Sequence, residues 1–282
     1  MSSPFISVLM TCFNREKFIA DSIESVLLSD YTNFELIILD DKSTDRTVDI
    51  ARSYEVKDKR IRVYVNEENL GDYPNRNHAV KFVKGNYFVY VDSDDLIYSH
   101  SLGKLVSAAD KYPDAALYFP VRSIDKAITG YQYLSPKEAY EIHFKENGFM
   151  ETGPLGVLIN KSTFQQIGGF SGKRMIGDME LWLKIARKYP VVRLEKDMVF
   201  WRQHAEQEFG AGLKYYLVDA LQMYKEVLVN SESPLGVKEG RKYFQKIKRY
   251  KYYLLFRHLV KNRKIRETYS YFRAMNLIQH DL

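Results

Sequence analysis

The first hundred residues alternate between two hydrophobic periods, and that alternation leaves few folds open. Ile6–Met10, Phe34–Leu39, Ile61–Val65 and Tyr87–Val91 are apolar runs of strand length, rich in β-branched and aromatic residues. Between them, Arg15–Leu28 carries Phe18, Ile19, Ile23, Val26 and Leu27 at helical spacing. Ser43-Thr44-Asp45 offers N-cap chemistry for a short helix to about Arg52, and Tyr73–Val83 reads as a third helix. The order β-α-β-α-β-α-β predicts an α/β fold with a parallel sheet and helices on both faces. In such sheets ligands bind at the carboxyl ends of the strands. Thr11, Phe13 and Asn14, then Asp40 and Asp41, then Asn69, then Asp92 and Asp94 all fall just after strands, so four polar clusters are predicted to meet at one edge.

The fourth run is the most pointed of these. It ends in Asp92-Ser-Asp94-Asp95, three carboxylates in four positions. In an extended chain Asp92 and Asp94 point the same way and Asp95 the other. Two carboxylates on one side suit a hard divalent cation, which in phosphate sites often takes only one or two protein ligands. A solvated acidic turn is the competing reading, since Asp is a common turn residue. Two familiar phosphate signatures are absent. No Gly-x-Gly-x-x-Gly follows the first strand, and no Gly-x-x-x-x-Gly-Lys-Ser/Thr occurs anywhere. A bound phosphate would need neutralising by a metal and by side chains such as Arg76.

The 282 residues are enough for a real core, and the single cysteine, Cys12, excludes an intramolecular disulfide and fits a reducing compartment. The run Phe5–Met10 reads as a strand and not as a signal peptide. No apolar run approaches the roughly 20 residues that cross a bilayer. Charge is unevenly placed. Val237–Arg273 holds 13 Lys/Arg against the two acids Glu239 and Glu267, which leaves the rest of the chain net acidic although the whole is +6. Beyond Ile97 the pattern predicts a helix to Tyr112, a strand Ala115–Pro120, a helix starting at Ser135-Pro136, a strand Leu155–Ile159, a helix Lys161–Ile167 stopped by Gly168-Gly169, a helix Met179–Tyr189, and short strands Val191–Leu194 and Met198–Trp201.

Eight motifs then stand in a fixed order from Ser7 to His204: Ser7-Val-Leu-Met-Thr-Cys-Phe-Asn14, Leu39-Asp-Asp-Lys-Ser-Thr-Asp45, Asn69-Leu-Gly71, Asn75-Arg76-Asn77, Val91-Asp-Ser-Asp-Asp95, Ile167-Gly-Gly-Phe170, Gly177-Asp178-Met-Glu-Leu-Trp182 and Trp201-Arg-Gln-His204. Together they resemble the family 2 glycosyltransferases of GT-A fold. The resemblance implies a Rossmann-like, mixed, mostly parallel sheet flanked by helices, with a C-terminal helical tail. It implies inverting transfer of a sugar from a nucleotide-diphosphate donor, a UDP-sugar favoured, to a hydroxyl of a glycan or lipid-linked acceptor, in the setting of cell-surface polysaccharide synthesis. Mn²⁺ or Mg²⁺ is the implied cofactor. Carried over residue by residue, Thr11 and Phe13 line the base pocket, Asp41 accepts from the base, and Asn69 belongs to the donor side. Arg76 lies near the ribose or diphosphate, Asp92 on the ribose side and Asp94 on the metal, with a share for Asp92 or Asp95 left open. Asp178 is the catalytic base, and His204 and Arg202 face the metal or diphosphate. The family usually shows Glu-Asp where this chain has Gly177-Asp178, so one acceptor-binding carboxylate is missing. Asp178 also reads as the N-cap of the Met179 helix, and Glu180 as a helix-surface residue.

These readings divide the chain into a donor half, residues 1–98, an acceptor half, 99–210, and a basic, aromatic helical tail, 211–282. Three accounts of the tail stay open: a cap packed on the body or on a second copy in a homodimer, a peripheral contact with the inner face of the membrane, or nucleic-acid binding, for which only charge speaks and which is set aside. The expected location is cytoplasmic. Two other functions compete: a nucleotidyltransferase on a related sheet, which generally wants a Gly-rich loop that Thr11–Lys17 lacks, and a binding module without turnover, supported only by Gly177.

Overall fold

The computed structural model describes residues 4–121, 128–146, 148–204 and 212–278. The strands are β1 (Ile6–Cys12), β2 (Phe34–Asp40), β3 (Ile61–Val65), β4 (Tyr87–Tyr90), β5 (Leu96–Ile97), β6 (Leu117–Pro120), β7 (Gln132–Leu134), β8 (Leu158–Asn160), β9 (Val191–Leu194) and β10 (Val199–Phe200). The helices are α1 (Ile19–Leu27), α2 (Thr47–Glu55), α3 (Asp72–Ala79), α4 (Ser101–Lys111), α5 (Pro136–Lys145), α6 (Lys161–Ile167), α7 (Gly177–Ala186), α8 (Ala220–Leu228), α9 (Gly236–Asn262) and α10 (Ile265–Leu277).

All seven residues of β1 and of β2 are buried, as strands covered by helices on both faces must be. β1 pairs in parallel with β2 and with β4, and β2 with β3, so the predicted alternation holds. The sheet runs on through β8, antiparallel to β4 and β6, and ends in the order β3-β2-β1-β4-β8-β6-β9-β7. Of its seven pairings four are parallel, which makes it mixed and mostly parallel. Helix ends follow local chemistry. Ser135 and Glu138 form a capping box at the start of α5, and α6 stops where Gly168 takes a left-handed conformation, φ 91°.

One expectation fails in an instructive place. The fourth strand stops at Tyr90, and residues 92–95 form a turn in which Asp95 N donates to Asp92 O at 3.0 Å. The two-residue alternation therefore does not apply to Asp92 and Asp94. A strand buried among others cannot carry three carboxylates in its ladder, and Asp favours turns. β5 then leaves the main sheet to pair with β10 in a separate antiparallel ribbon. That ribbon brings residues 198–204 back over the acidic turn.

The tail is helical, with a π-helical turn at Tyr215–Asp219 ahead of α8 and a left-handed Arg263 between α9 and α10. Its inner side is continuous with the core of the body: Leu217, Met223, Phe244, Leu255 and Met275 belong to one apolar cluster with Phe119 and Trp182. Phe119 and Trp182 are fully buried and meet edge to face, ring centroids 5.8 Å apart, a contact worth about 1 kcal/mol beyond the area it buries. No described helix is long and apolar enough to cross a membrane.

Candidate active site

The carboxyl ends of β1 to β4 do converge. Asp41 N donates to Cys12 O at 2.8 Å, and Asn66 N to Asp40 O at 2.9 Å, so the loops after three strands are tied side by side. The Asp41 carboxylate is buried and accepts from Asn66 Nδ2 (2.7 Å), Leu70 N (2.8 Å) and Gly71 N (2.8 Å). Asn69 Nδ2 donates to the Asp41 carbonyl at 3.1 Å. Asp41 thus shapes the loop that leads into α3. Thr11 is buried in β1 opposite Leu39, and Phe13 is exposed on the following loop.

Arg76, on α3, lies between two carboxylates. Its Nε donates to Asp72 Oδ1 and one terminal nitrogen to Asp92 Oδ1, both at 2.7 Å, with the guanidinium 5.3 Å from the centre of the Tyr90 ring. Burial pushes the Asp92 carboxyl above its ordinary value, and the Arg76 charge pulls it partly back. Asp94 faces a different set. Its Oδ2 accepts from Arg15 Nε at 3.0 Å and stands 3.1 Å from His204 Nε2. Asp95 is buried, accepts from Arg202 N at 2.8 Å, and is pushed up to about 7, chiefly by burial and then by the Asp92 charge. Arg202 donates to Asp21 on α1 at 3.0 Å and covers the Phe18 ring, which also packs on His204.

A carboxylate oxygen and an imidazole nitrogen 3.1 Å apart are a donor pair that suits Mn²⁺ or Mg²⁺. Among the described residues no group of three or more His, Cys, Asp or Glu could hold a metal. Asp94 and His204 thus offer two donors, fewer than a protein-only cage would need, and Asp94 Oδ2 is shared with Arg15 Nε.

A cleft of about 1220 Å³ opens beside this edge, with Asp92, Asp95 and Asp178 on its walls together with Glu151, Trp201 and Tyr216. Asp178 is the second residue of α7, not its N-cap, a position held by Ile176. Its Oδ1 accepts from Met179 N at 2.8 Å, and its own N–H points at Tyr73 Oη, 3.3 Å away. A helix N-terminus favours the ionised form. Burial outweighs it here and pushes Asp178 up to about 6. Glu180 is buried, not on the helix surface as its place in the sequence suggests, and holds Lys173 at 2.9 Å and Lys184 at 3.0 Å.

Gly177 has a steric cause. A Cβ there would meet Tyr73 Cε2 at 2.8 Å and Cζ at 2.9 Å. The Tyr73 ring, stacked on Phe170 at 5.1 Å, occupies the space that a larger residue 177 would need. Gly177→Ala is expected to destabilise the protein by about 1–3 kcal/mol. In a Tyr73→Ala background the same change should be nearly neutral. Denaturant melts of the four proteins check this; equal losses in both backgrounds would remove Tyr73 as the cause.

Three site residues escaped sequence reasoning. Arg15 follows the polar loop after β1 and was hidden among ordinary surface bases. Tyr73 was hidden in a helical pattern. Glu151 lines the cleft, where Tyr224 Oη of α8 donates to it at 2.6 Å, a contact between residues 73 apart in sequence.

The profile of Glycosyl transferase family 2 matches residues 7–176, more than half of the chain. The chain belongs to glycosyltransferase family 2. This family 2 enzyme is 31% identical over 196 residues to TuaG of Bacillus subtilis, named for teichuronic acid biosynthesis, covering 66% of this chain and 73% of TuaG. It spans only 35% of a Rickettsia felis glycosyltransferase that it also matches. Its fold is that of Staphylococcus aureus TarS 1–349 in complex with UDP-GlcNAc, at TM-score 0.69 and 18% identity over 91% of this chain and 73% of that one. A mannosyltransferase from Pyrobaculum calidifontis, solved with GDP-Man and Mn²⁺, superposes at TM-score 0.65 and 15% identity over 98% and 87%. The architecture is the GT-A fold.

Proposed function

We propose that this glycosyltransferase is a metal-dependent inverting enzyme that moves a sugar from a nucleotide-diphosphate donor, a UDP-sugar favoured, to a hydroxyl of a glycan or lipid-linked acceptor in cell-surface polysaccharide synthesis. One observation carries the reading: Asp178, whose carboxyl desolvation raises to about 6, shares a cleft with Asp92, the ion-pair partner of Arg76, at the sheet's carboxyl edge. Residues 1–98 form the donor half. Thr11, Phe13, Asp41 and Asn69 take the base, and Asp92 the ribose. Arg76 faces the diphosphate and offsets the charge that grows on it as the bond to the sugar breaks. Asp94 and His204 would hold the divalent cation, which when bound would supply positive charge to the departing diphosphate. Arg202 keeps the His204 loop against α1 through Asp21, an exposed pair weak enough to exchange for the donor.

Residues 99–210 accommodate the acceptor. Asp178 takes the proton from the acceptor hydroxyl as its oxygen attacks the anomeric carbon from the face opposite the diphosphate. A single displacement inverts that carbon and needs no enzyme nucleophile. Glu151 supplies a carboxylate on the acceptor wall in place of the one missing at 177, and the tail, 211–282, supports that wall through Tyr224. The setting is cytoplasmic.

Thermal melting against UDP, GDP, CDP and dTDP, with and without Mn²⁺, tests the donor side. One nucleotide at a hundredfold over its Kd should stabilise by about 2.7 kcal/mol, or roughly 5–10 °C, in a metal-dependent way. Asp94→Ala and His204→Ala should each remove the metal-dependent part alone. Absence of a response to every nucleotide would overturn the donor assignment.

A further inference from the structure

We propose that the outer face of the α9–α10 hairpin docks on an anionic lipid surface. α9 has two unlike sides. Its inner side buries Tyr243, Phe244 and Leu255 against the body. Its outer side leaves Tyr253 53% exposed, Phe256 62% and Val260 63%, one stripe at helical spacing. On α10, Ile265 (72% exposed), Tyr269 and Phe272 repeat the pattern at i, i+4 and i+7. The Tyr252–Phe272 ring contact, 5.8 Å between centroids, joins the two helices at the seam. Large apolar side chains in a row at this exposure mark an interaction surface.

The flanking charge says what covers it. Arg249, Arg257, Lys261, Arg266 and Arg273 border the stripe, and Val237–Arg273 carries only two acids against 13 bases. At the start of the stripe a hollow of about 400 Å³ is lined by Lys145, Lys242, Tyr243, Gln245, Lys246 and Arg249. Lys246 and Arg249 have no acidic partner among the described residues, and Lys145 and Lys242 have only exposed pairs with Glu141 and Glu239. Four cations around one hollow fit a phosphate headgroup, and the aromatic and aliphatic stripe beside it fits the boundary between headgroups and acyl chains. A second copy of the same face would meet it with like charge. A single-stranded nucleic acid would use the rings for stacking but has no use for Val260 and Ile265. Both features, basic and apolar, are satisfied together only at an anionic membrane surface.

The opposite side of α9 bears on the acceptor wall. Lys251 Nζ lies 5.9 Å from the centre of the Tyr224 ring, whose hydroxyl holds Glu151 in the cleft. One helix therefore separates the docking face from the residue that supports the acceptor wall.

Flotation of the full chain with phosphatidylcholine vesicles, with and without phosphatidylglycerol, tests the proposal. Binding is expected only to the anionic vesicles and should weaken as salt rises. Tyr253→Ser/Phe256→Ser and Lys246→Glu/Arg249→Glu should each weaken partition at least about tenfold, with melting temperature and nucleotide binding unchanged because these side chains are exposed. Equal behaviour with neutral vesicles, or wild-type partition by either double variant, overturns it. So does a dimer that forms without lipid and is lost in the Tyr253/Phe256 variant, or tight RNA binding without vesicle binding.

Discussion

Asp178→Asn is expected to lower the rate of sugar transfer by about 10²–10⁴-fold while leaving donor binding in place. Asn keeps the shape and can still accept from Met179 N, so the loss isolates the proton acceptor. The pH profile gives the sign. Asp178 can accept a proton only when ionised, so kcat/KM should rise with pH up to about 6 and level off above it, and the variant should lose that limb. Stability moves the other way. The carboxyl is raised from 3.8 to about 6 in the folded protein, so between those values the folded state binds the proton that the unfolded state has released. Stability therefore falls as pH rises through that window, by up to about 3 kcal/mol, and the deficit persists at pH 7. Asp178→Asn avoids it, and its melting temperature at pH 7 should be several degrees above wild type. Burial that costs stability here is what lifts a carboxylate into a useful range for a base. Transfer within tenfold of wild type by the variant would remove Asp178 from that role.

Arg76→Met should destabilise the protein by about 3–5 kcal/mol, because it leaves Asp92 without its cation in a largely buried site. Asp72 also loses a partner, but it is more than half exposed and adds little. The loss should shrink at low pH, where Asp92 is protonated and no longer needs a counter-charge. Arg76→Met/Asp92→Asn should recover at least about 2 kcal/mol of the single variant's loss. Denaturant melts at pH 5 and pH 8 check both statements. A double variant as unstable as Arg76→Met would show that Asp92 is not the group left uncompensated. Donor affinity should fall in both proteins, since neither keeps the cation proposed to face the diphosphate.

The polar edge of the sheet was readable because its information is local. β1 to β4 are recognisable from runs of Val, Ile, Leu and aromatics, and a parallel sheet places the residue after each strand at one edge. Asp41, Asn69 and Asp92 were therefore named from their positions after strands, whereas Arg76, in the last turn of α3, entered as a cation for a bound phosphate and through the Asn75-Arg76-Asn77 motif. The pairing of partners was less readable. Asp92 and Asp94 looked like a matched pair on an extended chain; the turn at 92–95 sends one to Arg76 and the other to Arg15 and His204. His204 lies 110 residues from Asp94 and reaches it because β10 pairs with β5.

From order and spacing alone, the chain determined its layered α/β class, the edge where its site would lie and the helical character of its tail. Those properties follow from hydrophobic period and chain direction, which act over a few residues. Tertiary structure decided which carboxylates lose contact with water and whom they face. Gly177 looked like a lost function until the Tyr73 ring was seen to fill its space. Asp178 looked like a carboxylate favoured by a helix end until burial outweighed that end. Desolvation and close packing depend on what arrives from far along the chain, and no local pattern records them.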